Sequence, residues 1–182
     1  MTKAYPIRKS PRANWFEYNE ACYFITICTK NMRHFFDEIS DNCMYLSPIG
    51  SFLSEELSFP HRHHDHIDIP LFVVMPNHLH AIITVGTRRA ASARDLPPAA
   101  ADMARQSAGP SADMARHVPT LLGSYIASLK SAVTRYAHMN NIPFAWQPRY
   151  HDHIIRGIDD LNNIGDYIEN NVARWSYDRF NQ

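Results

Sequence analysis

Two histidines separated by one residue are the side chains in this sequence best suited to hold a metal ion. His78 and His80 begin the segment HLHAIITV at 78–85. In a strand, alternate side chains point to one face, so both imidazoles would lie together and Leu79 would face the other side. Such a pair could hold one ion from a rigid platform. Two surface histidines on the polar side of a sheet would give the same pattern, and that interpretation stays open here.

A tyrosine and an asparagine near the C-terminus form a second candidate set. Tyr167 and Asn171 are four residues apart in a helix predicted over 159–173, so they share a face one turn apart. Tyr167 follows Ile164 by three residues, at the border of the buried stripe, where a phenol can face the sheet. The Asn171 carbonyl oxygen is a hard ligand suited to Mg²⁺ or Mn²⁺. A half-buried core tyrosine beside a helix-terminal asparagine is the competing structural interpretation.

The elements that must position these residues follow from hydrophobic periodicity and turn residues. Pro76-Asn77 favours a tight turn, so the apolar runs on either side should form an antiparallel hairpin. The order strand, helix, hairpin, helix, strand, helix is typical of an α+β protein, with a ferredoxin-like antiparallel sheet and helices packed on one face. Strands are predicted at 22–29, 42–46, 67–75, 78–85 and 146–155, and helices at 48–58, 120–139 and 159–173.

Length and composition fit a single domain over 1–182 that carries an insertion at 87–117. The chain has 182 residues, and 45% of them are hydrophobic, which is enough for a core. The insertion is rich in Ala, Arg, Pro and Ser, and it contains ADMAR twice, at 101–105 and 112–116. Few large apolar residues are available there to offset ordering entropy, so we expect a mobile surface loop. A partner-binding linker is the alternative.

Charge, cysteine usage and apolar runs limit the classes of function. Lys plus Arg and Asp plus Glu both number 18, so binding to nucleic acid would require a local groove rather than net charge. Cys22, Cys28 and Cys43 suit a reducing cytoplasm. No apolar run approaches the roughly 20 residues that cross a bilayer, so we expect no membrane partner and a cytoplasmic location. The histidine-rich segment at 61–66 lacks defined ligand spacing and is interpreted as a solvated loop rather than a zinc site.

Several segments, in order along the chain, resemble the single-tyrosine HUH transposases, and more narrowly the REP-associated tyrosine transposases. VVMPNHLHAIITV at 73–85 resembles their His-hydrophobic-His segment, and DYIENNVARW at 166–175 resembles the helix that bears the nucleophile. ACYFITICT at 21–29 is similar to their first strand, LGSYIASLKSAVTRY at 122–136 to their middle helix, and WQPRYHDHIIR at 146–156 to their late strand. The resemblance covers most of the chain outside the insertion.

This resemblance implies an HUH endonuclease-like fold and a role for each candidate residue. His78 and His80 would be metal ligands, Asn171 a third ligand, and Tyr167 the nucleophile. The implied activity is metal-dependent cleavage and transfer of single-stranded DNA through a 5′-phosphotyrosine intermediate, with Mg or Mn as the cofactor. The implied partners are single-stranded DNA, in hairpin-forming repeats, and a second copy of the chain in a homodimer.

Four basic residues are candidate DNA contacts, and two other functions are alternatives to DNA cleavage. Lys130, Arg135, Arg149 and Arg156 could contact phosphates, and solvated surface charge is the competing interpretation of each. A non-catalytic single-stranded nucleic-acid-binding module would use the sheet and these cations without a metal. A metallohydrolase or oxygenase would need a carboxylate facing the two histidines.

Overall fold

The described part of the chain forms six strands and three α-helices. The computed structural model describes residues 21–86 and 114–181, with only the backbone at Asp37 and at 114–120. Residues 87–113 of the insertion, which we expected to be mobile, therefore lie outside the described residues. In chain order the elements are β1 (Ala21–Cys28), β2 (Asp37–Ser40), β3 (Cys43–Leu46), α1 (Pro48–Ser58), β4 (Ile67–Val74), β5 (His78–Val85), α2 (Met114–Met139), β6 (His151–Ile154) and α3 (Ile158–Glu169).

Four of the strands form one antiparallel sheet in the order β4-β5-β1-β6. This is the ferredoxin-like order, in which the hairpin of β4 and β5 lies beside the first strand and the last strand takes the far edge. The fold is therefore α+β with an antiparallel sheet, as the element order predicted. In β1 and β5 the register sets Thr26 opposite His80 and Cys28 opposite His78. The histidines thus lie on a central strand with hydrogen-bonded neighbours on both sides.

Alternate residues of β5 divide the core between the two faces of the sheet. One face, which carries Leu79 and Ile83, is covered by α1 and α2. The other carries His80 and Ile82, and α3 lies over it through Leu161. The prediction that helices pack on one face of the sheet therefore holds for α1 and α2. Helix α3 packs on the opposite face, which carries the histidines. This placement brings the C-terminal helix to the candidate ligands.

Two strands differ from the predictions. A strand, β2, pairs with the predicted β3 in a separate two-stranded sheet. Strand β6 covers four residues rather than 146–155, because Pro148 cannot donate to the ladder and Arg149 has a φ of 69°. Trp146 keeps an isolated bridge to Thr29.

The helices also change length relative to the sequence prediction. Helix α2 begins at Met114, so the last residues of the predicted 87–117 insertion are helical. Helix α3 ends at Glu169 rather than Ala173. There the Asn170 side chain and its backbone N–H both donate to the Asp166 carbonyl, at 2.7 and 3.1 Å, and the Asn171 N–H bonds three residues back, to the Ile168 carbonyl at 3.3 Å. Within the described ranges, no helix has both the length and the apolar content needed to span a bilayer.

Candidate metal and nucleophile site

His78 and His80 are buried side by side, with their Nε2 atoms facing each other. Their exposed fractions are 0% and 1%, and the two Nε2 atoms are 3.0 Å apart. The interpretation of two surface histidines is therefore wrong. Both side chains project from one rigid strand, because residues two apart in β5 share a face.

Burial keeps both imidazoles neutral at physiological pH. Desolvation lowers the pKa of His78 to about 2, with smaller effects from His80 and from the positive charge of Arg179. Desolvation and Arg179 lower the pKa of His80 to about 3. A neutral imidazole offers a nitrogen lone pair, which is the form that binds a metal ion.

The outer nitrogen of each ring has a hydrogen-bond partner in the protein. Nδ1 of His78 lies 2.8 Å from Oδ1 of Asn77, the residue before it in the hairpin turn. Nδ1 of His80 lies 2.8 Å from the hydroxyl oxygen of Thr26, its cross-strand neighbour on β1. Both rings are thereby fixed in orientation, with Nε2 directed inward. These two partners were not among the residues singled out from the sequence, and Thr26 could be found only through the strand register.

Helix α3 brings Tyr167 to the histidine pair. The Tyr167 hydroxyl oxygen lies 3.2 Å from Nε2 of His80, and the side chain is 37% exposed. Phe24 supports the arrangement by stacking on His80 and contacting the Tyr167 ring edge-on. Burial raises the pKa of Tyr167, and a hydrogen bond from Asn171 opposes that shift. The Tyr167 hydroxyl is thus partly desolvated, while the side chain remains accessible from solvent.

Asn171 is buried beside the phenol, in the turn that follows α3. It is 2% exposed, and its Oδ1 atom has no hydrogen-bond partner among the described residues. The shared helical face predicted for Tyr167 and Asn171 is replaced by a turn that still joins their side chains. A buried oxygen without a partner costs about 1–3 kcal/mol, so its retention indicates a partner beyond the described residues.

The donor set fits a divalent ion. Two ligands about 2.1 Å from one ion and at right angles to each other are about 3 Å apart, which suits the 3.0 Å between the Nε2 atoms. No group of three His, Cys, Asp or Glu residues that could hold a metal occurs within 21–86 and 114–181. The buried Asn171 oxygen, which has no hydrogen-bond partner among the described residues, is the candidate for a third protein ligand. The absence of a carboxylate in such a group also disfavours the metallohydrolase and oxygenase hypothesis.

The C-terminal residues cover the histidine pair. The Phe180 ring lies 4.5 Å from that of His78, and the Trp175 ring lies 6.1 Å from it. The Phe180 carbonyl accepts a hydrogen bond from Asn77 at 2.7 Å. Arg179, over the Phe180 ring, is close enough to lower the pKa of both histidines. The polar, aromatic sequence at 175–180 gave no periodic signal from which this cover could be predicted.

The four basic residues proposed as DNA contacts lie away from the histidine pair. Lys130 donates to the carbonyls of Gln147 and Arg149 at 2.9 and 3.2 Å, so it stabilises the loop before β6. Arg135 is exposed in an open groove on the outer face of α2. Arg149 precedes β6 in the sequence and Arg156 follows it, and both are exposed. The structure does not bring these side chains together with Tyr167.

The histidine-rich segment at 61–66 is only partly a solvated loop. His63 packs beside Tyr125 and lies 2.6 Å from the Glu56 carboxylate, with 12% of its side chain exposed. Arg62 adds a contact to Glu56 at 3.3 Å. His63 is therefore a structural residue between α1 and α2. It is not a member of a metal-binding group in the described part of the chain.

The fold and site define an α+β protein with a ferredoxin-like antiparallel sheet, in which a tyrosine hydroxyl lies against a buried histidine pair and a buried asparagine hydrogen-bonds to that tyrosine. No family model matches the chain. It belongs to the same family as an uncharacterised protein of Haemophilus influenzae, to which it is 32% identical over 179 residues, covering 94% of this chain and 92% of that protein.

Two solved structures are similar in fold at low sequence identity. One is a REP-associated tyrosine transposase bound to a REP hairpin, with a TM-score of 0.47 and 16% identity, covering 94% of this chain and 77% of that one. The other is a candidate transposase from Deinococcus radiodurans, with a TM-score of 0.40 and 15% identity, covering 89% of this chain and 96% of that one.

Proposed function

We propose that this protein is a metal-dependent single-stranded DNA endonuclease and strand transferase that acts through Tyr167. The observation that carries the proposal is the Tyr167 hydroxyl oxygen, 3.2 Å from Nε2 of His80 and partly open to solvent. A phenol beside two neutral imidazoles and a buried amide oxygen can attack a substrate that is held at the same point.

Each residue of the site has a separate task. Nε2 of His78, Nε2 of His80 and Oδ1 of Asn171 would hold Mg²⁺ or Mn²⁺, which when bound polarises the scissile phosphate and stabilises charge on its oxygens. The Tyr167 oxygen attacks phosphorus and releases its proton to solvent. The bond from phosphorus to the 3′ oxygen breaks, and that oxygen takes up a proton. The products are a 5′-phosphotyrosine and a free 3′-hydroxyl, whose reverse attack rejoins the strand without ATP.

DNA binding in this proposal depends on local cations rather than on net charge, which is zero. Arg135, Arg149 and Arg156 are exposed and could contact phosphates on either side of the cleavage point. The narrower assignment to the REP-associated tyrosine transposases, with hairpin-forming repeats as substrate, belongs to the same proposal. So does a homodimer, although the four site residues converge within one chain and need no exchange of α3 between copies.

A cleavage assay on single-stranded oligonucleotides from inverted repeats flanking the gene tests the proposal. We expect the wild-type protein with Mn²⁺ to produce a nicked strand and a covalent protein–DNA species. Tyr167→Phe should abolish both products, because the ring is kept and the nucleophilic oxygen is lost. Removal of the metal with a chelator should stop cleavage in the wild type.

Tyr177→Phe is the matched control, because Tyr177 is 91% exposed and lies outside the site. It should cleave at the wild-type rate. Undiminished cleavage by Tyr167→Phe would refute the role of Tyr167. Tight DNA binding with no metal-dependent nicking in the wild type would favour the non-catalytic binding module instead.

A further inference from the structure

Two side chains outside the ligand set contact the histidines on the ring nitrogens that face away from each other. Asn77 contacts Nδ1 of His78, and Thr26 contacts Nδ1 of His80. We propose that these two are positioning residues that decide which ring nitrogen carries the hydrogen, and that metal binding relocates the hydrogen of His80 but not that of His78. This inference rests on the proposed metal-dependent function.

The hydrogen bonds of Asn77 fix the direction in which its amide points. The Nδ2 atom donates to two backbone carbonyls, those of Met32 at 3.1 Å and Phe180 at 2.7 Å. The reversed amide would set an oxygen against both carbonyl oxygens and leave all three without a donor. Oδ1 therefore faces His78 and can only accept a hydrogen bond, here from Nδ1.

The hydrogen on Nδ1 determines what the other nitrogen of His78 can do. A neutral imidazole carries one ring N–H, so Nε2 of His78 presents a lone pair toward the site. Asn77 is 0% exposed and is bonded to three separate parts of the chain, so this arrangement has little freedom to change. His78 is thus prepared to bind a metal before any metal arrives.

In this proposal His80, unlike His78, carries its hydrogen on Nε2 while no metal is bound. Its Nε2 atom lies 3.0 Å from Nε2 of His78, which can only accept. The contact is a hydrogen bond only if Nε2 of His80 donates; the Tyr167 hydroxyl, 3.2 Å from the same nitrogen, then cannot donate to it and directs its hydrogen to solvent. Nδ1 of His80 is then the acceptor, and the Thr26 hydroxyl, 2.8 Å away, donates to it.

Metal binding needs a lone pair on both Nε2 atoms. The Nε2 proton of His80 must therefore leave and a proton must be taken up at Nδ1, so that the ring remains neutral. Nδ1 becomes a donor, and the Thr26 hydroxyl rotates and accepts. A hydroxyl can serve both arrangements, whereas a methyl group in its place can serve neither. Thr26 is therefore the residue that allows His80 to exchange its hydrogen.

Residue-resolved ¹⁵N spectra of histidine-labelled full chain test the assignment directly. In the metal-free wild type we expect the hydrogen of His78 on Nδ1 and that of His80 on Nε2. With Zn²⁺ as a diamagnetic probe, both rings should carry it on Nδ1. His78 with its hydrogen on Nε2, or His80 with its hydrogen on Nδ1 before metal addition, would overturn the inference.

Metal affinity provides a second measurement, made by titrating free Mn²⁺ by electron paramagnetic resonance. Thr26→Val keeps the shape of the side chain and should weaken Mn²⁺ binding at least about tenfold, as loss of such outer partners typically does. Thr26→Ser should bind close to wild type. Thr84→Val is the matched control, since Thr84 is also a buried threonine on the histidine face and lies at the far end of β5.

The result separates this inference from the proposed function. Wild-type Mn²⁺ affinity in Thr26→Val would refute the positioning role, even if the wild type cleaves DNA. The expected spectra and affinities in a protein that never cleaves DNA would support the inference and contradict the proposed nuclease. If Thr26→Val does not fold, the wild-type spectra decide the question.

Discussion

At the scale of single residues, the candidate site consists of polar atoms held inside the protein at a cost to folding. His78 and His80 are buried without a carboxylate in their own group, and Asn171 keeps an oxygen without a partner among the described residues. Buried polar groups in stable folds are normally paired. Both histidine rings have hydrogen-bond partners, whereas the Asn171 oxygen has none among the described residues, and the proposed metal ion would supply one.

Asn171→Leu should distinguish the effect of Asn171 on the free energy of unfolding from its effect on metal binding. In chelator, we expect the free energy of unfolding to stay unchanged or rise by up to about 1 kcal/mol, because an unpaired buried oxygen is removed. Mn²⁺ affinity should fall at least about tenfold, because a ligand is lost. Urea denaturation and Mn²⁺ titration measure the two effects. Asn163→Leu, at an exposed position of α3, is the control; wild-type affinity in Asn171→Leu would contradict the ligand role.

From the burial of the Tyr125 hydroxyl we predict that the protein loses stability at alkaline pH, independently of the candidate metal and nucleophile site. Its hydroxyl is buried without a partner in the described structure, and burial, followed by the charge of Glu56, raises its pKa. The folded state thus keeps this proton when the unfolded state loses it. Stability attributable to Tyr125 is present below pH 10 and falls above it, by at most about 1.4 kcal/mol per pH unit.

Tyr125→Phe should remove that dependence. Urea unfolding at pH 8 and pH 11 should show a smaller loss of stability in the variant than in the wild type. Tyr177→Phe, at an exposed tyrosine, should behave as wild type. An equal alkaline loss in Tyr125→Phe and wild type would show that the hydroxyl does not determine it.

At the scale of elements, Lys130 and Arg135 are two basic residues of α2 that have different surroundings. Lys130 donates to two carbonyls of the loop before β6 and lies 5.7 Å from the Trp146 ring, whereas Arg135 is exposed. Hydrogen bonds from a charged group contribute about 1.5–3 kcal/mol each. Lys130→Met should therefore lower stability, and Arg135→Met should leave it unchanged but weaken single-stranded DNA binding.

Thermal unfolding and fluorescence anisotropy with a labelled oligonucleotide distinguish the two roles. If Lys130 instead bound DNA through an exposed ammonium, the two variants would be equally stable and would bind DNA equally weakly. That outcome would contradict a structural role for Lys130.

The elements also show how far the sequence determines the site. The His-x-His alternation in β5 and the boundaries of α1 were predictable, because strand period and a proline in a first helical turn are local signals. The end of α3 was not, because the Asn171 N–H bonds three residues back to Ile168 without a glycine or proline nearby to signal the turn. Thr26 and Phe180 reach the histidines only through the sheet register and the path of the C-terminal segment. These are long-range contacts with no local sequence signal.

At the scale of the whole molecule, the fold brings together residues far apart in the sequence. The ferredoxin-like strand order sets β5 at the centre of the sheet beside β1, and α3 lies across the face that carries the histidines. The Tyr167 and His80 side chains meet across 87 residues of sequence. The four proposed site residues come from one chain, so the proposed first cleavage does not require α3 of a second copy.

Tandem mass spectrometry of the covalent protein–DNA product tests the central claim most directly. The wild type, incubated with Mn²⁺ and a cleavable oligonucleotide and then digested to peptides, should yield a 5′-nucleotide attached through phosphate to Tyr167. Tyr167→Phe should yield no such peptide, and Tyr177→Phe should yield it in the wild-type amount. A nucleotide attached to another residue, or strand cleavage with no covalent product, would contradict the account.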